Sequence, residues 1–137
     1  MHRYFFIIIC ITLMFSSCRS KFDDCTEQDY ANCNTERPQT GRITARLTIN
    51  SENRRVPVRV YEGNFEDGKL VREDTISIKT FNYFLTPDTE YSMVARYLRD
   101  NDTIMVVNKA YIRVIRYRMC ELRCYDLDKP EVDLRLY

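Results

Sequence analysis

Gly41-Arg42-Ile43-Thr44-Ala45-Arg46-Leu47-Thr48-Ile49 decides the fold class. Ile43, Ala45, Leu47 and Ile49 alternate with Thr44, Arg46 and Thr48. Successive side chains of a strand point to opposite faces. This spacing therefore sets an apolar face against a core and a polar face toward water. The period of two continues outward. Val56, Val58 and Val60 alternate with Arg59 and Tyr61, and Asp67-Gly68 is a turn signal. Leu70 to Thr75 reads as a short, charged edge strand. Ile76 to Leu85 is rich in aromatic and β-branched residues and reads as another strand. Pro87 to Glu90 turns the chain into Tyr91, Met93, Ala95 and Tyr97, and Asp100-Asn101-Asp102 turns it into Thr103 to Val107.

Ala110 to Met119 reads as one long strand whose register shifts. Ile112 and Val114 share one phase, while Ile115, Tyr117 and Met119 share the other, so a β-bulge near Val114-Ile115 is expected. Cys120 to Pro130 reads as a loop, and Val132, Leu134 and Leu136 as a final strand. Arg19 to Thr40 is polar and reads as tether and loop. The expectation is an all-β fold without a convincing amphipathic helix. It is a single seven- or eight-stranded antiparallel Greek-key β-sandwich over residues 41–137.

The 137 residues suffice for one domain. His2 is the only histidine, and tryptophan is absent. Beyond residue 2 no imidazole exists for a Ser-His-Asp triad or a His-ligated zinc. P-loop, GxGxxG, GxSxG and HExxH patterns are missing as well.

Met1-His2-Arg3 is short and positive, and the twelve residues Tyr4 to Phe15 are almost wholly apolar. A bilayer span needs roughly 20 apolar residues, so the run suits a secretory signal better than a transmembrane helix. It ends in Phe15-Ser16-Ser17-Cys18, which resembles a bacterial lipobox, with Phe15 where Leu is usual. Cys10 follows three isoleucines and no small residue, which makes it a poorer acceptor. The resemblance implies a signal peptide over 1–17, cleavage before Cys18, and lipid on the Cys18 sulfur and amine. Residues 18–40 then form an acylated N-terminus and tether. Arg19, rather than Asp, follows the cysteine, and by resemblance to Gram-negative lipoproteins this favours the outer membrane. Asp23, Asp24, Glu27 and Asp29 resemble the acidic export stretch of Bacteroidetes surface lipoproteins. Cleavage would leave 20 basic and 20 acidic residues. That balance gives no reason to expect a nucleic-acid partner.

Cys25, Cys33, Cys120 and Cys124 remain. Outside the cytoplasm an even count reads as two disulfides, with three possible connectivities. In an extended strand, residues four apart lie ~13 Å from each other, beyond the ~7 Å that a disulfide tolerates. Cys120 and Cys124 can therefore pair with each other only if Glu121-Leu122-Arg123 turns. If the strand stays extended they reach two different partners, and the N-terminal pair is stapled to the C-terminal pair. That cross-pairing is preferred because it pins the tether. Spacers of seven and three residues do not suit a four-thiolate metal site, so no metal or other cofactor is expected.

Leu85-Thr86-Pro87-Asp88-Thr89-Glu90-Tyr91, followed by Met93 and Ala95, resembles the turn into a central strand of fibronectin-III domains. It is also similar to the corresponding turn of transthyretin-like, carboxypeptidase-regulatory-like domains. The length after the motif and the ending Val132-Asp133-Leu134-Arg135-Leu136 favour the latter. The resemblance implies that Tyr91 bonds back to the turn's backbone as a tyrosine corner.

Three polar groups could carry chemistry. Arg113, Arg116 and Arg118 interleave with Tyr111 and Tyr117 and could bind phosphate or stack on sugars. The plainer reading is a solvated strand face. Asp126, Asp128, Glu131 and Asp133 could ligate calcium, or simply form an acidic loop. Two carboxylates could serve a glycosidase, but among 20 acids some pair always exists. The expected function is a non-enzymatic, membrane-anchored lipoprotein that binds protein or glycan. The alternative is a structural component of a fimbrial or outer-membrane assembly, with a carboxylate-based hydrolase a distant third.

Overall fold

The alternation at Ile43, Ala45 and Leu47 does bury those residues, at 2 % exposure or less, while Arg42 and Arg46 stay in water. The computed structural model describes residues 25–137. The signal segment and Cys18 lie outside the described residues. The elements are α1 (Glu27–Ala31), β1 (Gly41–Arg46), β2 (Val56–Glu62), β3 (Lys69–Ile76), β4 (Thr80–Leu85), β5 (Glu90–Arg99), β6 (Asp102–Tyr111), β7 (Val114–Met119), β8 (Leu122–Leu127) and β9 (Glu131–Asp133).

The strands form three sheets, ordered β4-β1-β9, β3-β2-β5-β6 and β7-β8. Every pairing is antiparallel except β1 with β9. The two larger sheets share one core. Ile43, Ala45 and Tyr83 come from the first, Val56, Val58, Val60, Met93, Ala95 and Tyr97 from the second, and Ile112, Val132 and Leu134 close it. Burying one such aliphatic side chain stabilises by about 1.5–3 kcal/mol. β5 lies between β2 and β6 and breaks strict alternation, because Ser92 and Val94 are buried on its outer side. The Ser92 hydroxyl is satisfied there by donating to the Gly63 carbonyl at 2.7 Å.

Several expectations are corrected. The Cys120–Pro130 stretch is not a loop, since most of it is β8. Ala110–Met119 is not one bulged strand. The chain breaks at Ile112-Arg113 between β6 and β7, and Val114, Ile115, Tyr117 and Met119 all belong to β7. The register shift lies instead between β2 and β3, where Val60 pairs with Arg72 and Tyr61 with Leu70, leaving Val71 of β3 as the extra residue. The final strand pairs over three residues only and runs parallel to β1. The tether is not all loop, because α1 forms behind a capping box of Thr26 and Asp29. The Asp100-Asn101 turn stands. Both residues have positive φ, as a type I′ hairpin requires.

Tyr97 joins the sheets. It is 1 % exposed, and its hydroxyl donates to the Leu134 carbonyl at 2.7 Å and accepts from the Thr48 N–H at 3.1 Å. Leu136 N–H and the Thr48 hydroxyl continue the seam at 3.0 Å. Tyr97→Phe leaves both backbone groups unpaired inside the protein. Denaturant unfolding should show a loss of about 1–3 kcal/mol, with a wild-type midpoint contradicting this role for the hydroxyl.

Candidate functional site: a cross-linked arginine hairpin

β7 and β8 pair over six residues, from Val114↔Leu127 to Met119↔Leu122, and Cys120-Glu121 forms the turn. Cys120 has φ +56°, a left-handed conformation that a residue with a Cβ rarely adopts. Two disulfides hold the hairpin to the N-terminal segment. Cys25 joins Cys120 with Cα atoms 6.1 Å apart, and Cys33 joins Cys124 with Cα atoms 5.1 Å apart. The chain turns after Cys120 and is extended again by Leu122, so the two C-terminal cysteines reach different partners. Alongside the bridges, Tyr125 N–H donates to the Asn34 carbonyl at 2.8 Å.

The bridges span 95 and 91 residues. In the chain-entropy model the first to form contributes about 4–5 kcal/mol. The second then closes a ring of only about a dozen residues, eight on one side and four on the other, and contributes about 3 kcal/mol.

The joint leading into the hairpin is held from two sides. Asp88 sits in the β4–β5 turn with φ +57°, and its N–H donates to the Ile112 carbonyl at 2.7 Å. Its carboxylate accepts from Val114 N–H at 3.1 Å, the Tyr111 hydroxyl at 3.3 Å and the Arg37 guanidinium at 2.8 Å. From the other side Asp128 accepts from Arg113 N–H at 2.6 Å. Gly41 makes room for this joint, since a Cβ there would lie 2.6 Å from the Ile112 side chain. In the same turn the Tyr91 hydroxyl donates to the Thr86 carbonyl at 3.1 Å. The Val114 N–H, followed by Arg37, holds the Asp88 carboxyl below the usual carboxylate range.

Arg116, Tyr117, Arg118 and Arg123 line a hollow of about 430 Å³ on the hairpin. Arg118 stands directly across from Arg123. Like charges in that position oppose folding. None of the three arginines belongs to an ion pair among the described residues; the paired cations are Arg37, Arg46, Arg59, Lys109 and Arg135. Of the residues the sequence singled out, Arg116, Arg118 and Tyr117 come together here. Arg113 does not line the hollow, and Tyr111 is turned to Asp88. Arg123 was missed. Reading a returning strand after Cys120 would have set it opposite Arg118.

The acidic residues of the last segment disperse. Asp126 accepts from Leu127 N–H, Asp128 serves Arg113, and Glu131 pairs with Arg46. Asp133 is held by Arg135 and the Tyr137 hydroxyl, which push its carboxyl far below the usual range. Among the described residues no three His, Cys, Asp or Glu side chains converge on a possible metal. Hollows of about 350, 440 and 280 Å³ lie elsewhere, and each is lined by a single carboxylate: Glu52, Glu66 and Glu131 respectively.

No protein-family model matches this chain, and neither a curated protein nor a solved structure matches it.

The lowered folded-state pKa of Asp88 sets a sign for pH dependence. Its carboxylate stabilises the fold above the unfolded-chain value near pH 4, and that contribution is lost as pH falls through the folded value. Unfolding midpoints measured from about pH 5 to pH 2 should therefore fall more steeply for wild type than for Asp88→Asn. Parallel curves would contradict the role given to Asp88.

Proposed function

We propose that the chain is an exported bacterial lipoprotein, anchored through Cys18, whose β domain is a non-enzymatic binding module for a protein or glycan. The observation that carries this reading is the pair of bridges. Stable disulfides belong to oxidising compartments, and here they begin seven residues after a lipobox-like cysteine. The bridges also carry the domain's cross-linking back to the tether, so that an anchor at Cys18 would hold the domain close to the membrane. The order Cys18-Arg19 favours the outer membrane. The core shared by the two larger sheets supports a sandwich of Greek-key type.

A second reading, a structural part of an outer-membrane or fimbrial assembly, is favoured by one edge strand. β4, Thr80-Phe81-Asn82-Tyr83-Phe84-Leu85, carries no charge, borders the three-stranded sheet and leaves Phe84 62 % exposed. β3, the corresponding edge of the four-stranded sheet, carries Lys69, Arg72, Glu73 and Asp74. Charge on an edge discourages strand addition, and an uncharged edge invites it.

Cys18→Ser should leave an unprocessed precursor or release the protein from the envelope on fractionation. A serine variant processed and fractionating like wild type would refute the anchor. Phe84→Lys should leave fractionation unchanged. If the domain adds a partner strand at β4, the same variant should lose high-mass complexes that co-purify from detergent extracts. Unaltered complexes would remove the assembly reading.

A further inference from the structure

We infer that the arginine face of the β7–β8 hairpin docks on the phosphate-bearing headgroups of the membrane that holds the chain. The inference rests on the anchored reading above. It begins with a chemical imbalance. Arg116, Arg118 and Arg123 share one hollow with Tyr117, and Arg118 faces Arg123 directly, with no carboxylate paired to any of the three among the described residues. The acids nearest in sequence, Glu121 in the turn and Asp126 on β8, form no ion pair with them among the described residues. Guanidinium groups match phosphate oxygens with paired N–H donors. A phosphate layer would turn the repulsion between Arg118 and Arg123 into a shared attraction.

Position selects the membrane over a free anion. Cys25 is bonded to Cys120 in the hairpin turn, two residues from Arg118 and three from Arg123. Seven residues lead from Cys18 to Cys25 and can reach at most about 25 Å. An anchor at Cys18 thus keeps the arginine pair near the lipid surface whatever path the tether takes. Residues 19–137 carry 20 basic and 20 acidic side chains. The domain as a whole has no net pull toward an anionic surface, so attraction must come from a local patch.

The test uses a chain beginning at Arg19, which lacks the acyl chains. Both bridges and the whole core lie within residues 25–137, so this chain keeps every described contact. It is sedimented with vesicles of phosphatidylcholine alone and of phosphatidylcholine mixed with phosphatidylglycerol. Binding is expected only to the mixed vesicles, with release in high salt. Each of Arg116→Gln, Arg118→Gln and Arg123→Gln should weaken partitioning about fivefold, and the triple variant about a hundredfold. Arg118→Gln should melt at or above the wild-type temperature, which separates lost docking from lost folding. A control triple, Arg42→Gln with Arg54→Gln and Arg96→Gln, should bind like wild type.

The inference is overturned if the mixed vesicles bind no protein. It is also overturned if the control triple loses as much, or if inorganic phosphate binds while vesicles do not. Because Cys18 is absent from this chain, failure here leaves the anchor to be judged by the Cys18→Ser fractionation.

Discussion

A two-stranded hairpin is marginally stable by itself in water. β7 and β8 pair only with each other, and neither joins the larger sheets. What gives the hairpin a fixed place is covalent: Cys25–Cys120 at its turn and Cys33–Cys124 on its returning strand. Asp88 and Asp128 support it at the base, where Ile112 and Arg113 leave the four-stranded sheet. Reduction would therefore leave the main core its hydrophobic contacts and the hairpin its base, held by Asp88, Asp128 and Leu127, while releasing the hairpin turn from the Cys25 segment. The arginine face exists as a defined surface because of that constraint.

Charge is spent unevenly across the molecule. Asp128, Glu131 and Asp133 each hold a structural partner, so the acid-rich C-terminal segment works as a set of clasps, and Asp88 clasps distant segments in the same way. The three arginines of the hairpin have no such employment. A near-neutral chain can still carry a locally basic surface where cations cluster without paired carboxylates.

The strands that pack on the core from one side were legible in the sequence. Ile43 to Leu47 and Val56 to Val60 show period two because one face of each is at least partly wet, and Tyr91, Met93, Ala95 and Tyr97 of β5 keep the apolar phase although Ser92 and Val94 on its other side are buried too. β8 was not legible, since Leu122-Arg123-Cys124-Tyr125-Asp126-Leu127 buries only Cys124, and a cysteine signals bonding more than packing. The phase change at Val114-Ile115 pointed to an irregularity, but the chain breaks two residues earlier, at Ile112-Arg113. The long-range bonds of Asp88 and Asp128 to Val114 and Arg113 hold the break in place, and no local pattern encodes them. Asp88 itself lay inside the quoted turn motif, where attention fell on Tyr91. Its bonds to Arg37 and Val114 bridge 51 and 26 residues, separations that no local pattern encodes. Arg123 became meaningful once Cys120-Glu121 was seen to reverse the chain.

The cross-links carry both the export reading and the placement of the hairpin, so their connectivity is the decisive quantity. Protein isolated from the cell envelope, digested without reductant and analysed by mass spectrometry, should yield Cys25 peptides linked to Cys120 peptides and Cys33 peptides linked to Cys124 peptides. Free thiols at these positions, or the neighbour pairs Cys25–Cys33 and Cys120–Cys124, would contradict the account.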